Sequence, residues 1–313
     1  MILIERRKKI AITVVCTSVL SATFILTSLY RAFAADLKSG NTKQSGTTTT
    51  TQVQGTKNTE TTTTTKPTQP TQAGKVDIST LSPNKIGWGQ GTNFDDLNRP
   101  QDAVTAQERY GNLGGNFVDL SGKKIIYLTF DEGYENGYTN DILDTLKKKN
   151  VKATFFITGD YAKREGELVQ RMIDEGHTVG NHTWRHYSMP EKTLDTCREE
   201  ISELDNYVQE NFHYKMNVMR PPMGEFSEQT LALCSEMGYQ SYFWSFAYKD
   251  WDVNSQSDPS TALKKLNDRL HPGAIYLLHA VSSTNAEILA DFVDCAQKEG
   301  YKFVVPAEPK NQK

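Results

Sequence analysis

Cysteine is scarce in this chain: four in 313 residues, without a C-x-x-C pair, too few for a disulfide scaffold. Long apolar runs are scarcer still. The one uncharged stretch long enough to cross a bilayer is Ile10 to Tyr30, which excludes a polytopic membrane protein. The 21 glycines follow no collagen period, and no repeat of solenoid length is present. The C-terminal part also lacks an excess of positive charge. Residues 1–75 hold ten Lys/Arg and three Asp/Glu, giving +7, whereas residues 76–313 hold 25 and 35, giving −10. A globule that acidic is a poor polyanion binder, because nucleic-acid affinity is mostly phosphate neutralisation by Lys and Arg. Nucleic acid is therefore not an expected partner.

What is present begins with Glu5-Arg6-Arg7-Lys8-Lys9 ahead of the apolar run. Twenty-one residues make about 31 Å of helix, enough to span the hydrocarbon core. The basic flank places the N-terminus inside and the rest outside. Ala32-Phe33-Ala34 offers an A-x-A cleavage site, so residues 1–35 are either a signal-anchor or a signal peptide. Both imply export, to a membrane-anchored or cell-wall location. Residues 36–75, with Thr47 to Thr51 and Thr61 to Thr65, have almost no large apolar side chain. They read as a disordered linker that holds a domain away from the membrane. Residues 76–120, with Ile86-Gly87-Trp88-Gly89 as their apolar anchor, read as an irregular extension packed on that domain. Residues 307–313 are a tail.

Between 121 and 306 a strict alternation of strands and helices sets in. Strands are expected over 125–130, 153–157, 177–181, 218–220, 240–245, 274–278 and 302–305. Helices are expected over 140–149, 165–175, 193–211, 227–237, 259–270 and 285–299. Seven strands alternating with helices argue for parallel βα units, either an open doubly wound sheet or a closed barrel. Cys197, Cys234 and Cys295 each fall in a helix, an odd number that forbids complete pairing. Buried free thiols are expected, with one pair left open.

Catalytic groups of parallel α/β folds sit at the C-terminal ends of strands. Those ends carry, in chain order, Asp131-Glu132, His182 and His186, Arg220, Asp250 and His279. Their gathering at one face favours an enzyme, and a barrel. His182-x-x-x-His186 puts two imidazoles on one face if a helical turn follows the strand, and two nitrogens plus a carboxylate suit zinc or a similar divalent ion. Asp131 and Glu132 are neighbours on a strand and point to opposite faces. Both serve one site only if the pleat breaks, which Gly133 makes feasible. Arg220 opens Arg-Pro-Pro-Met-Gly, a rigid path whose next N–H, that of Met223, can be aimed at an oxyanion. His279 emerges from an apolar strand, where burial tunes its pKa. His177, His213 and His271 lie outside the cluster and are expected to be structural.

Five motifs in order, Thr-Phe-Asp-Glu, His-Thr-x-x-His, Arg-Pro-Pro-Met-Gly, Asp-Trp and Leu-Leu-His, resemble the polysaccharide deacetylase family (NodB-homology, family four carbohydrate esterases) over about residues 120–306. Ile86 to Gly89, Asp131 to Thr139, Phe243-Trp244-Ser245 and Gly273 to His279 look like the branch of spore-cortex N-acetylmuramic acid deacetylases, which serve muramic δ-lactam formation. The resemblance implies an α/β fold, a distorted (β/α)7 barrel. It also implies a divalent metal, usually zinc, held by Glu132, His182 and His186. Asp131 matches the general base and His279 the general acid, oriented by Arg220 and Asp250. Trp251 matches a groove wall, and the Met223 backbone the oxyanion donor. Glu132 stands where the family usually has aspartate, and Met223 where it has tyrosine. The implied activity is hydrolytic removal of N-acetyl groups from peptidoglycan amino sugars by a monomer. N-acetylmuramic acid is the first candidate substrate, with N-acetylglucosamine or another polysaccharide as the alternative. A non-catalytic glycan-binding module presenting Trp88, Trp184 and Trp251 has no need of both Asp131 and His279. A glycosidase needs its two carboxylates about 5–9.5 Å apart across a bond, which chain neighbours seldom manage.

Overall fold

The computed structural model describes residues 76–306. The membrane segment, the Thr-rich linker and the tail expected at the two ends lie outside the described residues. Among those described, no helix is long and apolar enough to cross a membrane.

The strands and helices run, in chain order, β1 (Ile86–Gly87), α1 (Gln101–Tyr110), β2 (Gly115–Asn116), β3 (Ile125–Glu132), α2 (Thr139–Lys148), β4 (Thr154–Ile157), α3 (Gly159–Arg164), α4 (Gly166–Asp174), β5 (Thr178–Asn181), α5 (Leu194–Phe212), β6 (Val218–Met219), β7 (Glu225–Phe226), α6 (Glu228–Glu236), β8 (Gln240–Tyr242), β9 (Phe246–Ala247), α7 (Pro259–Asp268), β10 (Ala274–His279), α8 (Ser283–Lys298) and β11 (Lys302–Val304). Five of the helices open on a side-chain cap, at Thr158, Thr193, Ser227, Asp258 and Ser282. Each cap oxygen accepts a backbone N–H that the first turn leaves without a helical partner.

All pairings in the large sheet are parallel, and its strand order is β2-β8-β6-β5-β4-β3-β10-β9, with β11 beside the start of β3. The sheet is a curled half-barrel. Among the described residues no ladder joins its outermost strands β2 and β9, so the distorted barrel implied by the sequence takes the form of an open, curled sheet. The expected strand 240–245 is cut short as β8 at Tyr242, and after a break at 243–245 the chain starts a separate strand, β9. The expected helix 165–175 is α4, set off by the non-helical Glu165 from a short preceding helix, α3. The extension is more ordered than expected: it contributes α1 and adds β2 to the sheet edge at Gly115↔Ser241 and Asn116↔Tyr242.

Side-chain parity along β3 separates two apolar layers. Ile126, Leu128 and Phe130 join the main core under the helices, with Leu143 of α2, Val169 of α4, Ile201 of α5 and Phe292 of α8. The opposite face of the strand looks into the curl, where Tyr127 packs with Phe156, Val218, Tyr242 and Ile275. A third cluster around Phe117, Phe226 and Phe243 fastens α1 and the extension to α6. Cys197 and Cys234 are buried free thiols and Cys295 is a half-buried one. Gly273 sits at φ +74°, where a Cβ would lie 2.0 Å from the Asp119 carbonyl oxygen. The close approach that starts β10 therefore requires glycine.

His177 and His271 are buried away from the strand ends, as expected of structural residues. Nδ1 of His177 accepts the Ala153 N–H, and the His271 ring bridges the Arg269 carbonyl and the Ser245 hydroxyl. Burial pushes both imidazoles down to about 4. A depressed value means that the folded state holds them neutral, a contribution present above the unfolded pKa and lost as pH falls through the folded one. Stability is therefore expected to fall between about pH 6.5 and 4, by on the order of 2–3 kcal/mol from His271 alone. Denaturant midpoints across that window should flatten in His271→Gln; an unchanged slope there would count against the assignment.

Candidate active site

Each strand end contributes one element of a single cleft. At the end of β3, Asp131 lies directly beside His279 of β10, the two being register partners on adjacent parallel strands. Asp131 is held from below by Arg220, which follows β6. Arg220 is fully buried. Its Nη1 donates to Asp131 Oδ1 at 2.7 Å, Nη2 to the Phe243 carbonyl at 2.9 Å and Nε to the Tyr242 carbonyl at 2.9 Å, while the guanidinium lies 4.3 Å from the Phe156 ring centre. Burial alone would raise the Asp131 carboxyl. The Arg220 guanidinium above all, with the His279 imidazole beyond it, holds it below its usual value, so it stays an anion with 11% of its side chain exposed to the cleft.

His279 has its own anchor. Asp250 Oδ1 pairs with His279 Nδ1 at 2.7 Å and Oδ2 accepts the His279 backbone N–H at 2.9 Å. Burial works to lower the imidazole, but the Asp250 hydrogen bond and charge, with Asp131 beyond, raise it above its ordinary value. Nδ1 carries the proton shared with Asp250, which leaves Nε2 for the cleft. The Trp251 indole stands edge-on, 5.8 Å from the His279 ring, and 52% of the residue is exposed.

The two remaining histidines follow β5. No helical turn forms there. Thr183 (φ +65°) and His186 (φ +57°) both adopt left-handed backbone, and Asn181 pins the turn by accepting the Thr183 N–H and donating to the Ile201 carbonyl. The expected convergence is reached by a different path, with Nε2 of His182 and Nε2 of His186 3.1 Å apart. His182 Nδ1 lies 2.7 Å from the Arg220 carbonyl. A carbonyl only accepts, so Nδ1 is protonated and the Nε2 lone pair faces inward. Burial lowers the His182 imidazole to about 4 and also lowers that of His186, so both are neutral near pH 7.

Glu132 is not among the groups that meet here, and this corrects the expected ligand set. The pleat stays regular through the end of β3, where Asp131 pairs with Phe156 and Glu132 with Ile157. Phe156 faces the curl and Ile157 the helix layer, so Glu132 points away from the imidazoles. Neither of its oxygens has a hydrogen-bond partner among the described residues. Burial, with Glu135 and Asp131 nearby, pushes its carboxyl well above the usual range. The carboxylate that does approach is Asp131, whose Oδ2 is 3.5 Å from His182 Nε2.

Two imidazoles whose Nε2 atoms converge, that of His182 fixed as the acceptor by the Arg220 carbonyl on its other nitrogen, are side chains that could hold a divalent metal. The cleft above them measures about 990 Å³ and is bounded by Trp88, Tyr134, Trp184, Met223, Trp244 and Trp251.

Residues 120–242 match the polysaccharide deacetylase family model. The chain is 46% identical over 188 residues to the peptidoglycan-N-acetylmuramic acid deacetylase PdaA of Bacillus subtilis, covering 60% of this chain and 72% of that protein. The chain belongs to the polysaccharide deacetylase family. The solved structure of B. subtilis PdaA, a family 4 carbohydrate esterase, superposes with a TM-score of 0.68 at 38% identity over 72% of this chain and 96% of that one. A family 4 carbohydrate esterase from Bacillus anthracis does so with a TM-score of 0.60 at 39% identity, over 72% and 95%.

Within this polysaccharide deacetylase, one residue of the site was not visible in the sequence. Asn285 is buried in the first turn of α8. Its amide donates to Asp250 Oδ2 at 2.6 Å and to the His279 carbonyl at 3.1 Å, and its oxygen accepts the Tyr248 hydroxyl. In the sequence it reads only as a helix start. Asn285→Ala removes one of the two donors to Asp250 Oδ2 and loosens the aim of the Asp250–His279 pair, and it is expected to lower kcat about 10–100-fold with little change in KM. Steady-state kinetics read this directly, and a change confined to KM would contradict it.

Proposed function

We propose that this enzyme is an extracytoplasmic peptidoglycan deacetylase that removes the acetyl group from N-acetylmuramic acid. The observation that carries the reading is the in-register pair Asp131–His279, each member held by its own buried partner, Arg220 and Asp250. That pair has the two proton-transfer groups that amide hydrolysis requires. Its extension to muramic acid rests on the 46% identity to a relative named for that substrate.

In this reading Asp131, an anion because of Arg220, accepts the proton of the attacking water. His279, protonated because of Asp250, delivers a proton to the departing amine, which leaves poorly as an anion. Met223, left-handed at φ +59° and 52% exposed at the cleft, offers its backbone N–H to the oxygen of the reacting carbonyl. His182 and His186 would hold the divalent metal, zinc being the ion that suits two imidazoles. A bound metal supplies electrophilic polarisation and acidifies water. Trp251 gives the reacting sugar an aromatic face beside His279. The partner is a glycan strand outside the cell, consistent with the export signal read at residues 1–35.

Purified protein incubated with glycan strands, with and without their side peptides, and followed by mass analysis of the muropeptides, tests this. The expected product is a muramic residue lighter by one acetyl group. Loss of acetyl from the glucosamine residues alone would move the assignment to N-acetylglucosamine.

A further inference from the structure

The segment Trp88–Gln90 lies before the residues that match the family model, yet it forms part of the cleft. Its position is set by the open sheet. The chain leaves β8 at Tyr242 and enters β9 at Phe246 without pairing the two, which leaves a seam beside the catalytic groups. The extension bridges that seam. Ile86 and Gly87 pair with Phe226 and Glu225, and the Trp88 N–H donates to the Gly224 carbonyl at 3.0 Å. The Trp88 indole N–H donates to the Trp244 carbonyl at 2.9 Å, and the Trp244 indole N–H to Gln90 Oε1 at 2.9 Å. Gln90 Nε2 donates to the Ala247 carbonyl at 3.0 Å. The chain of bonds thus crosses from the loop after β6, over the break after β8, to β9.

We infer that Trp88 and Trp244, braced by Gln90, form a carbohydrate subsite for a second sugar of the same glycan strand, next to the residue being deacetylated. This rests on the deacetylase reading above. Both indoles are half-buried and line the cleft. Both indole N–H groups, with the Gln90 amide, are used inside the wall. With their polar edges occupied, what the two indoles leave to the cleft is apolar ring surface, which suits the C–H groups of a pyranose better than a charged group. The wall is stiff: Trp88 packs edge-on against Phe117 with ring centres 4.7 Å apart. Gly224 (φ +66°) lets Trp244 approach so closely that a Cβ there would sit 2.5 Å from its ring. Trp251 already stands beside His279, so the reacting sugar has its own aromatic contact. A cleft of about 990 Å³ lies at the upper end of the range that one drug-sized ligand fills, leaving room for a neighbouring sugar.

The test uses peptide-free glycan oligomers of two and of six or more sugars, with the wild type, Trp244→Leu and Gln90→Ala. Equilibrium binding by calorimetry is measured alongside kcat/KM. The advantage of long over short oligomers, in binding and in kcat/KM, should shrink about tenfold in Trp244→Leu and several-fold in Gln90→Ala. The second variant gives the answer if the first does not fold. An unchanged long-to-short ratio in both variants overturns the subsite. A wild type that binds long oligomers in a Trp244-dependent way but releases no acetate keeps the subsite and overturns the deacetylase reading instead.

Discussion

Asp131→Asn is expected to abolish acetate release, with kcat falling by roughly 10³-fold or more, while leaving the fold and the imidazole pair intact. The asparagine oxygen can still accept from Arg220 Nη1, so the buried guanidinium keeps a partner, and its nearly equal volume keeps the end of β3 packed. What is lost is the anion that accepts a proton. The substitution therefore separates chemistry from assembly more cleanly than alanine, which would also orphan Arg220. Acetate release and a thermal melt on the same preparation decide the matter. A variant that melts like the wild type and retains even a tenth of its activity would show that the proton goes elsewhere.

Arg220→Lys should have the largest effect on stability, about 3–5 kcal/mol, because it leaves buried polar groups without their partner. The guanidinium serves Asp131 and the carbonyls of Tyr242 and Phe243 in three directions while lying flat against Phe156. A lysine ammonium at the end of a flexible stem cannot meet that planar fork, so at least one carbonyl is left bare. The two carbonyls belong to the break between β8 and β9, so the damage spreads to the wall that carries Trp244. A urea titration giving an unchanged midpoint would contradict this, since an exposed arginine would tolerate the change.

Much of this site was legible because strand ends in a parallel sheet share one face. Asp131, His182, His186, Arg220, Asp250 and His279 could be assigned to one side of the molecule from periodicity alone. What remained hidden depended on backbone detail below that resolution. Glu132 is implied as a ligand by the resemblance and needs a break in the pleat that Gly133 permits but does not impose, and β3 runs on regularly to residue 132. The H-x-x-x-H spacing suggests a helical turn as one way to bring His182 and His186 together, but Thr183 and His186 adopt φ values that few side chains take, and nothing in Thr-Trp-Arg announces them. Whether the outermost strands meet is likewise hidden, because local periodicity fits an open sheet and a barrel equally well. The short strands of the extension, two residues each, fall below the length at which alternation can be recognised. Asn285 was hidden by its ordinary position in the first turn of a helix.

The pairing of Asp131 with His279 across β3 and β10 has a consequence for how such an enzyme can change. Adjacent strands stand about 4.8 Å apart wherever a sheet is intact, so the backbones that carry proton acceptor and proton donor are set by the sheet, and only the two buried loop residues Arg220 and Asp250 are needed to aim the side chains. Loops around the mouth can lengthen, shed or exchange aromatic residues, and so accept one glycan in place of another, without retuning the hydrolytic machinery. Substrate preference and bond-breaking are in this sense inherited separately, and swapping the rim between two members of the family should transfer the former while leaving the latter at its original rate.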